Sequence, residues 1–151
     1  MQVSARVDYA LRSLLVVAWR DPARVTRDEI CTAQAIPPRY LEDILVELRR
    51  SGLVVAQRGH AGGYRLGRPA GEITVAQVAR AVDGPLALIQ GERPEHVSYP
   101  APGEHLGAFW IGLRAAIRSV MEQVSLADLL EGTLPPQVRA LVDHPDAWLP
   151  H

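Results

Sequence analysis

Two groups of side chains in the 151-residue sequence have the types and spacing to grip a polyanion and read base edges. Arg39, Tyr40, Glu42 and Asp43 form the first. An arginine there can donate two hydrogen bonds to a guanine edge, and a carboxylate at Glu42 or Asp43 can accept from cytosine N4. The same acids also suit a helix N-terminus through its dipole alone, and for Asp43 the two readings stand level. Tyr40 either meets a phosphate or lies in the core beside Leu41 and Ile44. Arg58 and Arg65 form the second group, flanking Gly59-His60-Ala61-Gly62-Gly63. Glycines let a backbone approach phosphate closely and let an arginine enter a minor groove. A plain hairpin turn would also use Gly62 and Gly63, but His60 and the flanking arginines favour a nucleic-acid contact. Arg27, Arg49 and Arg50 suit contacts to a sugar–phosphate backbone, or simple surface solvation.

These groups need elements to aim them. A first helix starts near Ser4, with Val7, Leu11, Leu14, Leu15 and Ala18 on one face, and stops at Asp21-Pro22. Thr26-Arg27-Asp28-Glu29 is a capping box that opens a short helix, which ends before Ile36-Pro37. Pro37 and Pro38 open a third helix carrying Leu41, Ile44, Leu45 and Leu48 at helical spacing, closed by Gly52. Residues 53–58 and 64–66 read as two strands around a glycine-rich turn. The order is helix, short helix, helix and ribbon, a winged helix-turn-helix layout. The fold class is therefore mainly α with a small β-wing.

A second capping box, Thr74-Val75-Ala76-Gln77, starts a helix ended by Asp83-Gly84-Pro85. Residues 90–103 are rich in Pro and Gly and read as loop. Leu106, Trp110, Leu113, Ile117, Val120 and Val124 then recur at four, three, four, three and four, which is a coiled-coil seam. A helix over 104–125 bearing that seam would be roughly 30 Å long. It either joins two copies of the chain or packs inside one; so small a domain has little core to cover it, which favours the dimer. Ser125 caps a short helix with Leu126, Leu129 and Leu130, and Val138, Leu141 and Val142 mark one more helical stretch. The expected division is a winged-helix unit over 1–84, a sensor segment over 85–103, a dimerisation helix over 104–125 and a tail over 126–151.

The overall charge of −1 conceals an asymmetry. Residues 1–70 hold 11 Arg against 7 acids, a net of +4; residues 71–151 hold 5 Arg against 10 acids, a net of −5. The first half is the half suited to phosphate. No apolar run is long enough to span a membrane. The N-terminal residues lack the layout of a signal peptide, and one cysteine, Cys31, fits a reducing compartment, so a cytoplasmic location is expected. No nucleophile–base pair, P-loop or dinucleotide fingerprint is present, so an enzyme is not expected.

With these pieces assembled, the sequence resembles the Rrf2 family of bacterial regulators. The resemblance rests on Tyr40-Leu41-Glu42, on Leu48-Arg49-Arg50-Ser51-Gly52-Leu53-Val54, and on the string from Arg58 to Leu66. It extends to Ile73-Thr74-Val75, Trp110 and Ser125-Leu126-Ala127-Asp128-Leu129. It implies a homodimer that presents a recognition helix and a wing from each copy to a palindromic operator in double-stranded DNA, and it tips Glu42 towards base contact. A repressor is the expected role; the rival is a winged-helix adaptor governed by a partner protein.

Many family members hold an iron–sulfur cluster through cysteines between the fourth helix and the long helix. Here residues 85–110 contain no cysteine, and Glu104 and Gly107 stand where some members carry Cys and His. No cofactor is therefore expected. Glu92, Glu95, Glu104, His96 and His105 match no metal-ligand spacing. A small-molecule or protein effector remains open. A pocket under this segment would use Leu86, Leu88, Ile89, Phe109 and Trp110, unless these form ordinary core. Cys31 reads as a small core thiol, with a redox role left open.

Overall fold

Side-chain caps fix the starts of four helices in the computed structural model, which describes residues 3–59 and 61–150. Ser4 caps α1 (Ala5–Trp19), accepting from the Val7 amide, and Thr26 caps α2 (Arg27–Gln34). Pro37 and Pro38 open α3 (Pro38–Arg50) without a side-chain cap. Strands β1 (Val54–Gln57) and β2 (Gly63–Leu66) pair antiparallel, with Val55 opposite Arg65 and Gln57 opposite Gly63. Thr74 and Gln77 close a capping box on α4 (Val75–Asp83). Three helices follow: α5 (Leu106–Met121), α6 (Leu126–Glu131) and α7 (Pro136–Val142). The molecule is thus mostly helical with a two-stranded wing.

Helix α1 is the centre of the packing. It touches α2, α3, α4, α6 and β2. Contact on several sides widens its buried arc beyond the expected stripe: Ala10, Val16 and Val17 are buried with Val7 and Leu14, whereas Leu11, Leu15 and Ala18 are only half-buried. Ser13 is buried too, and its hydroxyl donates to the Tyr9 carbonyl at 2.6 Å, so burial leaves no polar group unmet there. One apolar cluster joins Val7, Leu14, Ile44, Leu48, Ile73, Val78 and Leu126; a second joins Val17, Val25, Ile30, Ile36, Leu41 and Leu45.

Two expectations are corrected. The long helix was expected over 104–125 and runs only Leu106–Met121, about 24 Å at 1.5 Å per residue. Its end is dictated by the next segment. The Val124 carbonyl accepts from the Val75 amide at 2.9 Å, Thr74 bridges to Ser125, and Ser125 caps α6 in a box with Asp128. Val124 is therefore off the helix and buried in its own protomer, and does not extend the seam. The second correction concerns residues 126–151, expected as short helices and a tail outside the winged-helix unit. Leu126 is fully buried in the first apolar cluster, and its amide donates to the Ile73 carbonyl at 2.9 Å. Helix α6 is thus part of the winged-helix core. The expected loop over 90–103 is irregular apart from a 3-10 turn at Pro94–His96.

If α6 is core, truncating its buried leucine is costly. Leu126→Ala should lower unfolding stability by about 2–5 kcal/mol, as cavity-forming substitutions do, measured by urea denaturation. A loss below about 1 kcal/mol would mean that α6 only rests on the surface.

Candidate nucleic-acid interface

The position of α3 is set by what precedes it. The Glu29 carboxylate accepts from the Thr26 amide at 2.7 Å and from its hydroxyl at 2.8 Å, closing the cap on α2. At the other end of α2, Arg12 of α1 donates to the Gln34 side chain at 3.2 Å and to the Gln34 carbonyl, an acceptor that the helix terminus leaves open. Ala35 then takes a left-handed conformation, φ +51°, and Pro37 is extended. The helix therefore stops through this backbone reversal one residue before Ile36, which turns in to be buried.

Leu41, Ile44, Leu45 and Leu48 bury one face of α3, so Arg39, Tyr40, Glu42, Asp43, Arg49 and Arg50 stand on the exposed side. Tyr40 is 60% exposed and rests against Tyr9 with ring centroids 6.3 Å apart, which places it outside the core. Glu42 is engaged by Arg27, and Arg27 also pairs with Asp28 at 3.0 Å. Asp28 first, and then Glu42, push the Arg27 pKa above its ordinary value. These pairs lie on the surface and add little stability, but they tie α2 to the front of α3. Asp43 has no basic partner among the described residues, and Arg50 pairs with Glu47 at 2.9 Å.

The wing has a third anchor that sequence reasoning missed. Val25, between α1 and α2, exchanges both backbone hydrogen bonds with Tyr64, at 2.9 and 2.8 Å. Gly63 adopts φ +141° beside it, and a Cβ there would lie 2.9 Å from the Val25 carbonyl oxygen. A Cβ on Gly62 would lie 2.4 Å from the Gln57 carbonyl oxygen. Both glycines are required by space. Arg58 and Arg65 are exposed on the two arms; His60 lies outside the described residues.

Ion pairing sorts the arginines of the first half. Arg6, Arg12, Arg20, Arg27 and Arg50 each have a carboxylate within 4.0 Å. Among the described residues Arg24, Arg39, Arg49, Arg58 and Arg65 have none, and Arg68 donates to Gln77 instead. The unpaired set comprises two arginines of α3, two of the wing, and Arg24 against the base of the wing, its Cβ 3.3 Å from where a Gly63 side chain would begin. Arg24 carries no signal in sequence, because a lone contact between distant segments leaves no period.

The family model described as "Rrf2: Iron-dependent Transcriptional regulator" matches residues 3–132. The chain belongs to the Rrf2 family. Rv1287 of Mycobacterium tuberculosis, named as an HTH-type transcriptional regulator, is 42% identical over 144 residues, which is 95% of this chain and 89% of the relative. The regulator CymR of Bacillus subtilis is 30% identical over 134 residues, 88% of this chain and 92% of the relative. Its solved structure, described as the global cysteine regulator, superposes with a TM-score of 0.73 at 27% identity, covering 88% of this chain and 98% of that one. IscR of T. potens superposes with a TM-score of 0.71 at 26% identity, covering 87% and 88%. These relatives are named as regulators of transcription, and the winged helix is the shared fold.

The residues of this Rrf2 member do not fit an iron–sulfur cluster. Cluster ligands are usually thiolates, and the one cysteine of the chain is Cys31 on α2, half-buried, with burial pushing its pKa up. That also argues against a reactive thiol. Among the described residues no three His, Cys, Asp or Glu side chains gather as a metal site. The interval after α4 instead borders a cavity of about 460 Å³. Pro85, Leu86 and Leu88 line it, but the expected Ile89, Phe109 and Trp110 do not. Phe109 is 60% exposed and packs edge-on to Trp110 at 4.9 Å.

The cap on α2 makes a pH prediction. Hydrogen bonds from the Thr26 amide, then its hydroxyl, hold the Glu29 pKa below the ordinary carboxylate range. A carboxyl with a lowered folded pKa stabilises fully above its unfolded value and loses that contribution as pH falls through the folded value. Glu29→Gln should therefore flatten the loss of thermal stability below about pH 5. An acid limb identical to that of the parent protein would contradict this role.

Proposed function

We propose that this Rrf2-family chain is a cytoplasmic, homodimeric repressor that binds a palindromic operator in double-stranded DNA, and that it is not an enzyme. The observation that carries the reading is the set of five arginines without carboxylate partners, gathered on α3, the wing and the wing's base. An exposed guanidinium with no internal acid is free to meet phosphate or a base edge. Arg39 and Asp43 read bases from α3, with Tyr40 at a phosphate. Glu42 acts through Arg27, which it holds towards the backbone, and Arg49 and Arg50 add backbone contacts. Arg58 and Arg65, with His60, Gly62 and Gly63, bring the wing to the minor groove, and Arg24 supports it.

The dimer reading rests on α5. Its residues are apolar on nearly every side, yet none is buried. A helix that is apolar all round belongs inside a core, and within one protomer α5 has none. Trp110, Leu113, Ile117 and Val120 are half-covered by their own protomer, and Leu106 is exposed. The opposite face shows Ala108, Phe109, Ile111, Gly112, Ala115 and Ala116 to solvent. The proposed partner helix lies over this face and the rim of the seam, where small side chains permit close approach. A two-fold dimer then presents two copies of α3 to symmetric half-sites.

Two measurements check this reading. Binding to a random-sequence 30-base-pair duplex, followed by fluorescence anisotropy, should weaken steeply with added salt. Arg58→Ala should lower the slope of log K against log salt by about one per protomer. An unchanged slope would remove Arg58 from the interface, and a flat response in the parent protein would favour the adaptor role. For the dimer, Gly112→Leu is the sharper variant, because an added Cβ meets nothing within 4 Å in the protomer. It should sediment as a folded monomer; a dimer of undiminished stability would place the interface elsewhere.

A further inference from the structure

Four of the five arginines between residues 71 and 151 line the same cavity, although this half of the chain is acidic overall. Arg80 comes from α4, Arg93 from the irregular segment after it, and Arg114 and Arg118 from α5. Pro85, Leu86 and Leu88 give the cavity an apolar wall. No residue of α3 or the wing lines it, so it is separate from the proposed DNA surface.

The arginines are incompletely neutralised. Glu95 pairs with Arg114 at 2.6 Å, and Glu122 pairs with both Arg118, at 3.0 Å, and Arg80. Arg93 has no carboxylate within 4.0 Å among the described residues. Four guanidiniums against two carboxylates leave a surplus of +2. Both carboxyls are held ionised: Glu95 by a backbone hydrogen bond and then by Arg114, Glu122 by Arg80 and then by Arg118. The side chain of Arg114 is only 20% exposed. Guanidiniums repel metal cations and bind carboxylate and phosphate through paired N–H groups. The volume is that of an ordinary small-molecule site.

We propose that this cavity binds a small organic dianion, a dicarboxylate or phosphomonoester whose charged ends meet the arginines and whose short carbon chain lies on Pro85, Leu86 and Leu88. The ligand would bridge α4, which packs on α1 and α3, to α5, whose main contacts are with α4 and the turn at Pro94–His96. Binding would therefore set the angle of the proposed dimer helix against the winged-helix core. That consequence for operator affinity rests on the function proposed above; the binding itself does not.

The test is isothermal titration of the full chain with succinate, 3-phosphoglycerate and inorganic phosphate, at matched ionic strength, with glycerol as a neutral control. The variant is Arg93→Gln with Arg118→Gln, both exposed, so that their replacement removes no core packing. Its fold is checked by circular dichroism, and its affinity for the random duplex is measured alongside. The expected result is saturable binding of at least one dianion, with Kd at or below about 1 mM, weakened about tenfold or more in the variant, and with duplex affinity unchanged. No binding of any of the three to the parent chain overturns the proposal. So does equal binding by the variant, which would mean an adventitious ion only, and so does a matching loss of duplex affinity, which would assign these arginines to DNA. Dianion binding in a chain without DNA affinity would uphold this site and refute the regulator reading.

Discussion

Burial of Leu41, Ile44, Leu45 and Leu48 fixes the rotation of α3, and the exposed chemistry follows from it. Each such side chain stabilises by about 1.5–3 kcal/mol when taken from water. Successive helical residues are about 100° apart, so a shift of one position would expose part of this set and bury a charged neighbour. The penalty makes one orientation dominant. Arg39, Asp43 and Arg49 point outward because the leucines cannot. The bonds around α3 refine this placement: Arg12 ties down the end of α2, and the Arg27–Glu42 pair joins α2 to the first turns of α3.

The wing obeys a backbone constraint as well. The Val25–Tyr64 exchange adds one rung beside the hairpin, and glycines at 62 and 63 remove side chains that the turn and this rung cannot accommodate. The wing is thereby anchored to the same α1–α2 connection that leads into the helix-turn-helix. In the opposite half of the molecule, arginines serve differently. At the cavity Arg80 and Arg118 share Glu122 and Arg114 pairs with Glu95, which holds a positive cluster together inside an acidic segment.

Much of this was legible in sequence where the cause is local. The boxes Thr26–Glu29 and Thr74–Gln77, and the cap at Ser125, involve residues three apart, so their order on the chain is their order in space. The α3 face was legible because a period of 3.6 is written directly in residue type, and the hairpin because β-branched residues flank a glycine-rich turn. What escaped was set by distant partners. Val124 continued the heptad spacing but is drawn away by the Val75 amide. The helix at Leu126 was legible, but not its place in the core, because Ile73 meets it only through the fold. The pairing of Glu42 with Arg27, fifteen positions earlier, follows no local spacing. Of the cavity only the apolar wall was legible, because Leu86 and Leu88 are neighbours in sequence while Arg80 and Arg118 meet only through the fold.

The central claim is that α3 and the wing of two copies read DNA sequence together. The most direct test is selection from a large pool of random 40-base-pair duplexes by the purified chain, with sequencing of the retained fraction. The account predicts enrichment of one inverted repeat with half-sites about one helical turn apart, a spacing set by two recognition helices in successive major grooves. Retained duplexes with no shared motif, from a folded and dimeric protein, would contradict it.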